Sequence, residues 1–109
     1  MLLKVGRHLR PRPHFKMIIG REEGENRFLH GYRKQFTHLF SSSHNGPLVL
    51  IDGEVNQDDL VLAAQVAARF GQGRDAALVE VEVHGKDAAS QTLRVVPLNS
   101  AEISQDWYL

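Results

Sequence analysis

The sequence predicts an α+β fold: a single domain of roughly five strands, with an alanine-rich helix packed on the sheet and a second short helix. Three observations support this prediction. Short apolar runs are separated by glycine and proline, residues 57–70 repeat apolar side chains at helical spacing, and 109 residues can form one core. With 42% hydrophobic and 24% charged residues, the chain has the composition of a folded globule.

The N-terminal segment shows the least pattern. Leu2, Leu3 and Val5 fit a brief strand, while the Arg-Pro-Arg-Pro run at residues 10–13 forbids a helix and favours an extended backbone. Residues 15–19 are apolar apart from one lysine, and they predict a strand that ends before a glycine.

A short helix and a hairpin are predicted next. Acidic residues open the segment 23–32, where negative charge suits the start of a helix, and three of its apolar residues share one face. The segments 36–40 and 47–51 predict two strands joined by a serine-rich turn that contains a glycine. Together they predict a hairpin.

The clearest predicted helix follows Asn56, which can cap it, with Asp59 three residues later in a weaker form of the capping box. Its alanines carry little bulk, so this helix is expected to lie close against a sheet. The alternating segment 78–83 and the segment 92–96 predict two further strands. The tail, residues 98–109, carries enough apolar area to dock on the body.

Charge is distributed unevenly along the chain. Residues 1–51 contain nine Lys and Arg against three acidic residues, a formal charge of +6, whereas residues 52–109 contain four against ten, a formal charge of −6. The formal net charge of zero therefore conceals a dipolar sequence, whose basic half could meet a polyanion while the acidic half faces away.

Composition also excludes several classes of site. The absence of cysteine excludes disulfides, thiol nucleophiles and cysteine-ligated zinc. No apolar run can cross a bilayer and the N-terminus lacks a signal-peptide core, which predicts a cytoplasmic protein with no membrane partner. The histidines lack zinc-site spacing, so no metal and no cofactor is predicted; they fit surface or core imidazoles, or a pH-tunable supplement to the basic surface. The histidines are His8, His14, His30, His38, His44 and His84.

The basic residues of the first half are the candidate binding site. Arg10 and Arg12 stand at alternate positions of an extended segment, so their side chains are expected on the same side of the backbone. Guanidinium groups match phosphate oxygens, and such contacts give salt-dependent, largely sequence-independent binding to nucleic acid. The candidates are Arg7, Arg10, Arg12, Lys16, Arg21, Arg27, Arg33 and Lys34.

Other interpretations remain open. The aromatic residues among these cations fit mainly a core, with one or two at the rim able to stack on unpaired bases. The basic half also fits a solvated face, or a surface that docks onto an acidic protein partner. A hydrolase has only the Ser-His juxtaposition at residues 41–44 in its favour, and a turn is the preferred interpretation there.

Four segments occur in an order that is specific in combination: Ile-Ile-Gly-Arg to Glu-Asn-Arg-Phe-Leu at 18–29, Gly-Pro-Leu-Val-Leu-Ile at 46–51, the Ala-Ala-rich run at 59–70 and Val-Glu-Val-Glu-Val at 79–83. Over about residues 6–96 this order resembles the NFACT-R RNA-binding domain. It is most similar to the variant at the C-terminus of bacterial proteins related to tRNA 2-thiouridylases, often labelled tRNA methyltransferases. That variant also opens with a Gly-Arg-His stretch, as at residues 6–8 here.

The resemblance implies a non-catalytic RNA-binding domain, for tRNA, that serves a tRNA-modifying enzyme. The chain would then be a C-terminal fragment, a single domain over 1–109, covalently linked to an ATP-pyrophosphatase-type catalytic domain whose nucleotide loop it lacks.

Particular residues correspond to the family's pattern. Gly20, Arg21, Asn26 and Leu29 match its Gly-Arg-x-x-x-x-Asn-x-x-Leu element, and on that ground Asn26 joins the RNA-binding candidates. NFACT-R domains usually carry a Trp and two His around the hairpin. The corresponding places here hold His38, Phe40 and Leu48, and no role is assigned to them from the sequence.

Overall fold

A computed structural model describes residues 5–87 and 89–109. Its strands are β1 (Arg7–Arg12), β2 (Phe15–Ile19), β3 (Thr37–Ser41), β4 (Val49–Gly53), β5 (Val79–His84) and β6 (Ser90–Val95). Its helices are α1 (Glu23–His30) and α2 (Gln57–Arg69). The strands form one antiparallel sheet in the order β1-β2-β4-β3-β5-β6. The α+β class and the two helices are as predicted.

The prediction of roughly five strands is one short of the six observed, and β1 is the additional strand. It contains Pro11, which cannot donate to a strand ladder and is tolerated because β1 lies at the edge of the sheet. The pairing of β1 with β2 shifts by one residue between Leu9 and Arg12, as at a β-bulge. Because the bulge interrupts the alternation, the expectation that Arg10 and Arg12 share one side of the backbone does not hold.

The face of the sheet under α2 holds the larger core. Ala63, Ala64 and Ala67 are fully buried or nearly so, which allows the close helix-to-sheet approach that the alanines predicted. The predicted capping box is confirmed, because the Asn56 side chain accepts the Asp59 N–H at 2.9 Å and the Asp59 carboxylate accepts the Asn56 N–H at 3.0 Å.

The opposite face is covered only in part, by α1. Leu29 of α1 packs with Ile18 of β2, Leu50 of β4 and Leu48 in a second, smaller core. The strand β2 is therefore buried on both faces, which is why it reads as an almost continuous apolar run. The strands β3 and β5 lie beyond β4 in the sheet, and on this face their residues His38, Phe40 and His84 are only partly buried.

The remaining sequence predictions are confirmed within one or two residues at most ends. The strands β3 and β4 pair antiparallel as the predicted hairpin. The C-terminal tail docks on the body as expected: Ile103 is 8% exposed, and Tyr108 forms a β-bridge with Leu9. The predicted contributions of Leu2 and Leu3 lie outside the described residues. No helix in the described ranges is long and apolar enough to span a membrane.

Candidate nucleic-acid interface

A cleft lies between α1 and the strands that α1 leaves open. It has a volume of about 1020 Å³, at the upper end of the range of about 300–1,000 Å³ usual for small-molecule sites. Its walls come from α1, the turn that follows, β3, residues 46–48, and the end of β5 through residue 86. These elements are distant in sequence and meet because β3 pairs with β5.

Cations outnumber carboxylates around this cleft: four Lys and Arg face two Glu. Arg27 pairs with Glu23 at 3.0 Å, but both side chains are highly exposed (76% and 88%), so water competes strongly for this contact. Arg33 donates to the His30 carbonyl oxygen at 2.8 Å. The side chains of Lys34 and Lys86 make no hydrogen bond or ion pair to any residue of the described ranges, which leaves both ammonium groups available to a ligand.

Three rings line the floor of the cleft. The centroids of His38 and His84, a cross-strand pair of β3 and β5, are 5.1 Å apart with an interplanar angle of 11°. Phe40 lies 5.7 Å from His84 at an angle of 9°. Partial burial lowers the pKa of His38, and the neighbouring His84 adds to that direction, so the neutral form of the His38 ring is favoured.

Of the nine RNA-binding residues predicted from the sequence, four line the cleft: Asn26, Arg27, Arg33 and Lys34. Asn26 is also structural, because its side-chain oxygen accepts the N–H of Leu48 at 3.2 Å. A Cβ at position 20 would collide with that oxygen, so Gly20 is needed for the close approach. This explains the joint presence of glycine and asparagine in the element by which the chain resembles its family.

Arg21, expected to face a ligand, makes a bidentate ion pair with Glu25. Its Nε and Nη2 donate to the two carboxylate oxygens at 3.0 and 2.6 Å. These side-chain hydrogen bonds, together with the Arg21 backbone N–H at 2.8 Å, lower the pKa of Glu25 to about 2. The guanidinium is thus held at the start of α1 and half exposed.

Arg7 and Lys16 line a second, smaller cleft of about 510 Å³ with Arg21 and Tyr108. The guanidinium carbon of Arg7 lies 4.7 Å from the centroid of the Phe70 ring, a cation–π contact. Lys16 is only 8% exposed. This group lies at the β1 edge and is separate in its lining residues from the larger cleft.

Arg10 and Arg12 belong to neither cleft. Arg10 is exposed and donates to the Pro13 carbonyl oxygen at 3.1 Å. Arg12 donates to the buried carboxylate of Asp59 at 2.6 Å, and the Nε2 of His14 contacts the other carboxylate oxygen at 2.7 Å. The bulge in β1 places Arg12 within reach of the first turn of α2.

Asp59 is 1% exposed yet its pKa is lowered to about 2. The largest cause is the hydrogen bond from the Asn56 backbone N–H, and the contacts with His14 and Arg12 add to it. A buried carboxylate with this number of donors is stable in its charged form.

Lys86 at the cleft was missed from the sequence, and His30 and His84 were considered only among the six histidines that could supplement the basic surface. Lys86 and His84 lie in the acidic half, and only the pairing of β5 with β3 brings them to the basic residues of α1. The period-two alternation along β5 places His84 on the same face as Glu82. That alternation was the only sequence signal for the position of His84.

The structure also shows the surroundings of the Ser-His juxtaposition and of the residue types that could bind a metal. At the Ser-His juxtaposition, Ser43 Oγ lies 2.8 Å from His44 Nδ1. The same oxygen accepts the Glu80 N–H at 3.0 Å, which fixes the turn to β5. Across residues 5–87 and 89–109, no cluster of three or more His, Asp or Glu could hold a metal ion.

The comparisons with known proteins agree with this fold. The profile of a family described as "NFACT protein RNA binding domain" matches residues 6–108. A solved structure, the C-terminal of the fibronectin/fibrinogen-binding protein from Streptococcus suis, is similar with a TM-score of 0.78 at 19% sequence identity, over 96% of this chain. The chain spans 50% of the length of that structure. No curated protein sequence matches the chain.

Proposed function

The chain belongs to the NFACT protein RNA binding domain family, and from this premise we propose that it binds RNA in the cleft between α1 and the strands β3 and β5. The observation that carries the proposal is the convergence of four Lys and Arg on one cleft, two of them with no partner in the described parts of the chain. The family is described by RNA binding rather than by a reaction, which fits a non-catalytic role.

The cleft supplies what backbone recognition needs. Phosphate oxygens accept hydrogen bonds from guanidinium and ammonium groups, and contacts of this kind carry affinity without reading sequence. Arg33 and Lys34 follow one another in the turn after α1, and Lys86 lies across the cleft beyond β5. A strand of RNA that enters the cleft would therefore meet cations on both walls.

The cations around the second cleft, Arg7, Lys16 and Arg21, form a proposed extension of the contact surface. Lys16 is the least exposed of the three, and Glu25 already occupies the guanidinium of Arg21. Arg12 is proposed as structural, since its partner is the buried Asp59. Arg10 is an exposed residue that an RNA tail could reach.

We propose tRNA as the RNA and a tRNA-modifying enzyme of the thiouridylase or methyltransferase-like group as the parent protein. Support comes from the residues that resemble that variant of the family, among them Gly6, Arg7 and His8. On this proposal the chain is an accessory domain linked to an ATP-pyrophosphatase-type catalytic domain, in the bacterial cytoplasm where tRNA is modified.

The experiment is a fluorescence anisotropy titration of labelled tRNA with the chain at several salt concentrations. If three to six phosphates are contacted, the logarithm of affinity should fall with the logarithm of salt at a slope of about −2 to −5. An Arg94→Ala chain serves as a control and should bind tRNA as the unaltered chain does. Arg94 is an exposed arginine that pairs with Glu80 and does not line the cleft.

No binding of tRNA at low salt would overturn the proposal. It would favour the alternative in which the basic surface docks onto an acidic protein partner, since the same cations would pair with carboxylates. Binding of unrelated single-stranded RNA with the same affinity as tRNA would retain the RNA proposal and remove the tRNA assignment.

A further inference from the structure

The three rings on the floor of the cleft are arranged by the sheet register. His38 and His84 stand opposite each other on β3 and β5, and Phe40 lies two residues along β3 on the same face. The ring planes of His38 and Phe40 are nearly parallel to that of His84, with interplanar angles of 11° and 9°. They occupy the part of the sheet that α1 leaves open.

The three stacked rings are each only partly buried. Phe40 packs at the border of the second core, and the side chain of His84 is 33% exposed. His84 Nε2 meets a Glu82 carboxylate oxygen at 3.2 Å, which fixes the orientation of its ring. The rings therefore have defined positions without being closed off from the cleft.

We propose that His38, His84 and Phe40 form a stacking site for an unpaired nucleobase, while the cations of the cleft walls bind the phosphates on either side of it. A base adds to parallel rings because aromatic faces stack with any nucleobase. Bases inside a duplex are already stacked and paired, so only a single-stranded or loop segment can present one. This inference rests on the proposed function and names its substrate class: RNA with an unpaired base.

The alternative role of the rings is sheet stability, because cross-strand aromatic pairs stabilise antiparallel strands without any ligand. The two roles differ in one measurable respect. A structural pair changes the melting temperature when it is removed, whereas a stacking site changes the fluorescence of a base that binds there.

The test uses a single-stranded RNA oligonucleotide that contains 2-aminopurine, whose fluorescence is quenched when it stacks. Binding to the unaltered chain should quench the signal, and a duplex of the same sequence should bind more weakly. Phe40→Leu keeps an apolar side chain against the second core but removes the aromatic face, so it should reduce affinity about fivefold or more and abolish the additional quenching.

The matched control is Phe28→Leu. Phe28 is an exposed aromatic residue that contacts Tyr32 and does not line the cleft, so its loss should leave quenching and affinity unchanged. His84→Ala provides a second variant on a partly exposed ring, should Phe40→Leu fail to fold as judged by its circular dichroism.

The outcomes separate the two proposals. If the chain binds RNA but neither quenches 2-aminopurine nor distinguishes single strand from duplex, the stacking site is overturned and the RNA-binding proposal stands. If Phe28→Leu loses quenching as much as Phe40→Leu, stacking is located elsewhere and the inference is also overturned. If the unaltered chain binds no RNA at low salt, both proposals fall.

Discussion

Basic residues have different surroundings on the two faces of the sheet. Under α2, buried alanines bring the helix close to the strands, and Arg12 and His14 contact one carboxylate, Asp59, at 2.6 and 2.7 Å. On the α1 side, Arg33 and Lys34 stand at the rim of an open cleft, and Lys34 has no partner among the described residues. On our proposal, the α2 face of the sheet contributes stability and the α1 face binds the ligand.

The difference teaches that a count of basic residues does not locate a binding surface. Half of the arginines in residues 1–51 are already engaged away from the larger cleft: Arg7 by Phe70, Arg12 by Asp59 and Arg21 by Glu25. A guanidinium that satisfies a buried carboxylate is not available to a phosphate without a cost in stability. Availability, rather than charge, distinguishes the cleft.

The largest expected effect is on the α1 side. The double replacement Arg33→Glu with Lys34→Glu removes two proposed phosphate contacts, which should weaken RNA binding on the order of 50-fold at 0.1 M salt. The melting temperature should fall only slightly, because Lys34 is exposed and Arg33 loses one exposed hydrogen bond, to the His30 carbonyl oxygen. Anisotropy titrations measure the affinity and thermal melts measure the melting temperature. Unchanged affinity would mean that Arg33 and Lys34 do not contact the RNA.

On the α2 side, the same reasoning predicts a loss of stability without a loss of binding. Ala64→Leu should overpack the contact between α2 and the sheet and cost about 1–3 kcal/mol of unfolding free energy. Ala101→Leu is the matched control at an exposed alanine, where a change within about 0.5 kcal/mol is expected. Urea denaturation checks both, and an Ala64→Leu chain as stable as the control would show that this face tolerates added volume.

A smaller effect concerns acid. The Asn56 backbone N–H, with His14 and Arg12, lowers the pKa of Asp59 to about 2, below the value near 3.9 expected in the unfolded chain. The stabilisation is therefore complete above about pH 4 and is lost as the pH falls towards about 2. The difference in unfolding free energy between the unaltered chain and Asp59→Asn should shrink over that window.

Glu25 titrates in the same range because Arg21 lowers its pKa to about 2 as well, so the acid transition of the unaltered chain reports both groups. Subtraction of the Asp59→Asn curve isolates Asp59. A difference between the two chains that stays constant from pH 5 to pH 2 would mean that the Asp59 contacts do not stabilise the charged form.

Local signals in the sequence predicted much of the fold. The start of α2 was predictable because Asn56 and Asp59 form a capping box within four residues, and β2 because its apolar run is continuous. The strand β1 was not counted, because Pro11 is tolerated only where a strand lies at an edge, and the edge is set by the order of the whole sheet.

The cleft was predictable only in part, for the same reason. Arg27, Arg33 and Lys34 were candidates from charge alone, whereas Lys86 and His84 join them through the pairing of β3 with β5 across some 40 residues of chain. Nor could sequence reveal that Arg21 is held by Glu25, since i, i+4 spacing permits such a pair without requiring it.

The central claim is that RNA binds the open half of the α1 face of the sheet. The most direct measurement is a titration of the isotopically labelled chain with single-stranded RNA, followed residue by residue by backbone amide chemical shifts in NMR spectra. The account predicts that the largest shifts map to residues 27–40 and 82–86, on the two walls of the cleft. Shifts confined to β1 and the C-terminal residues 105–109 would contradict it.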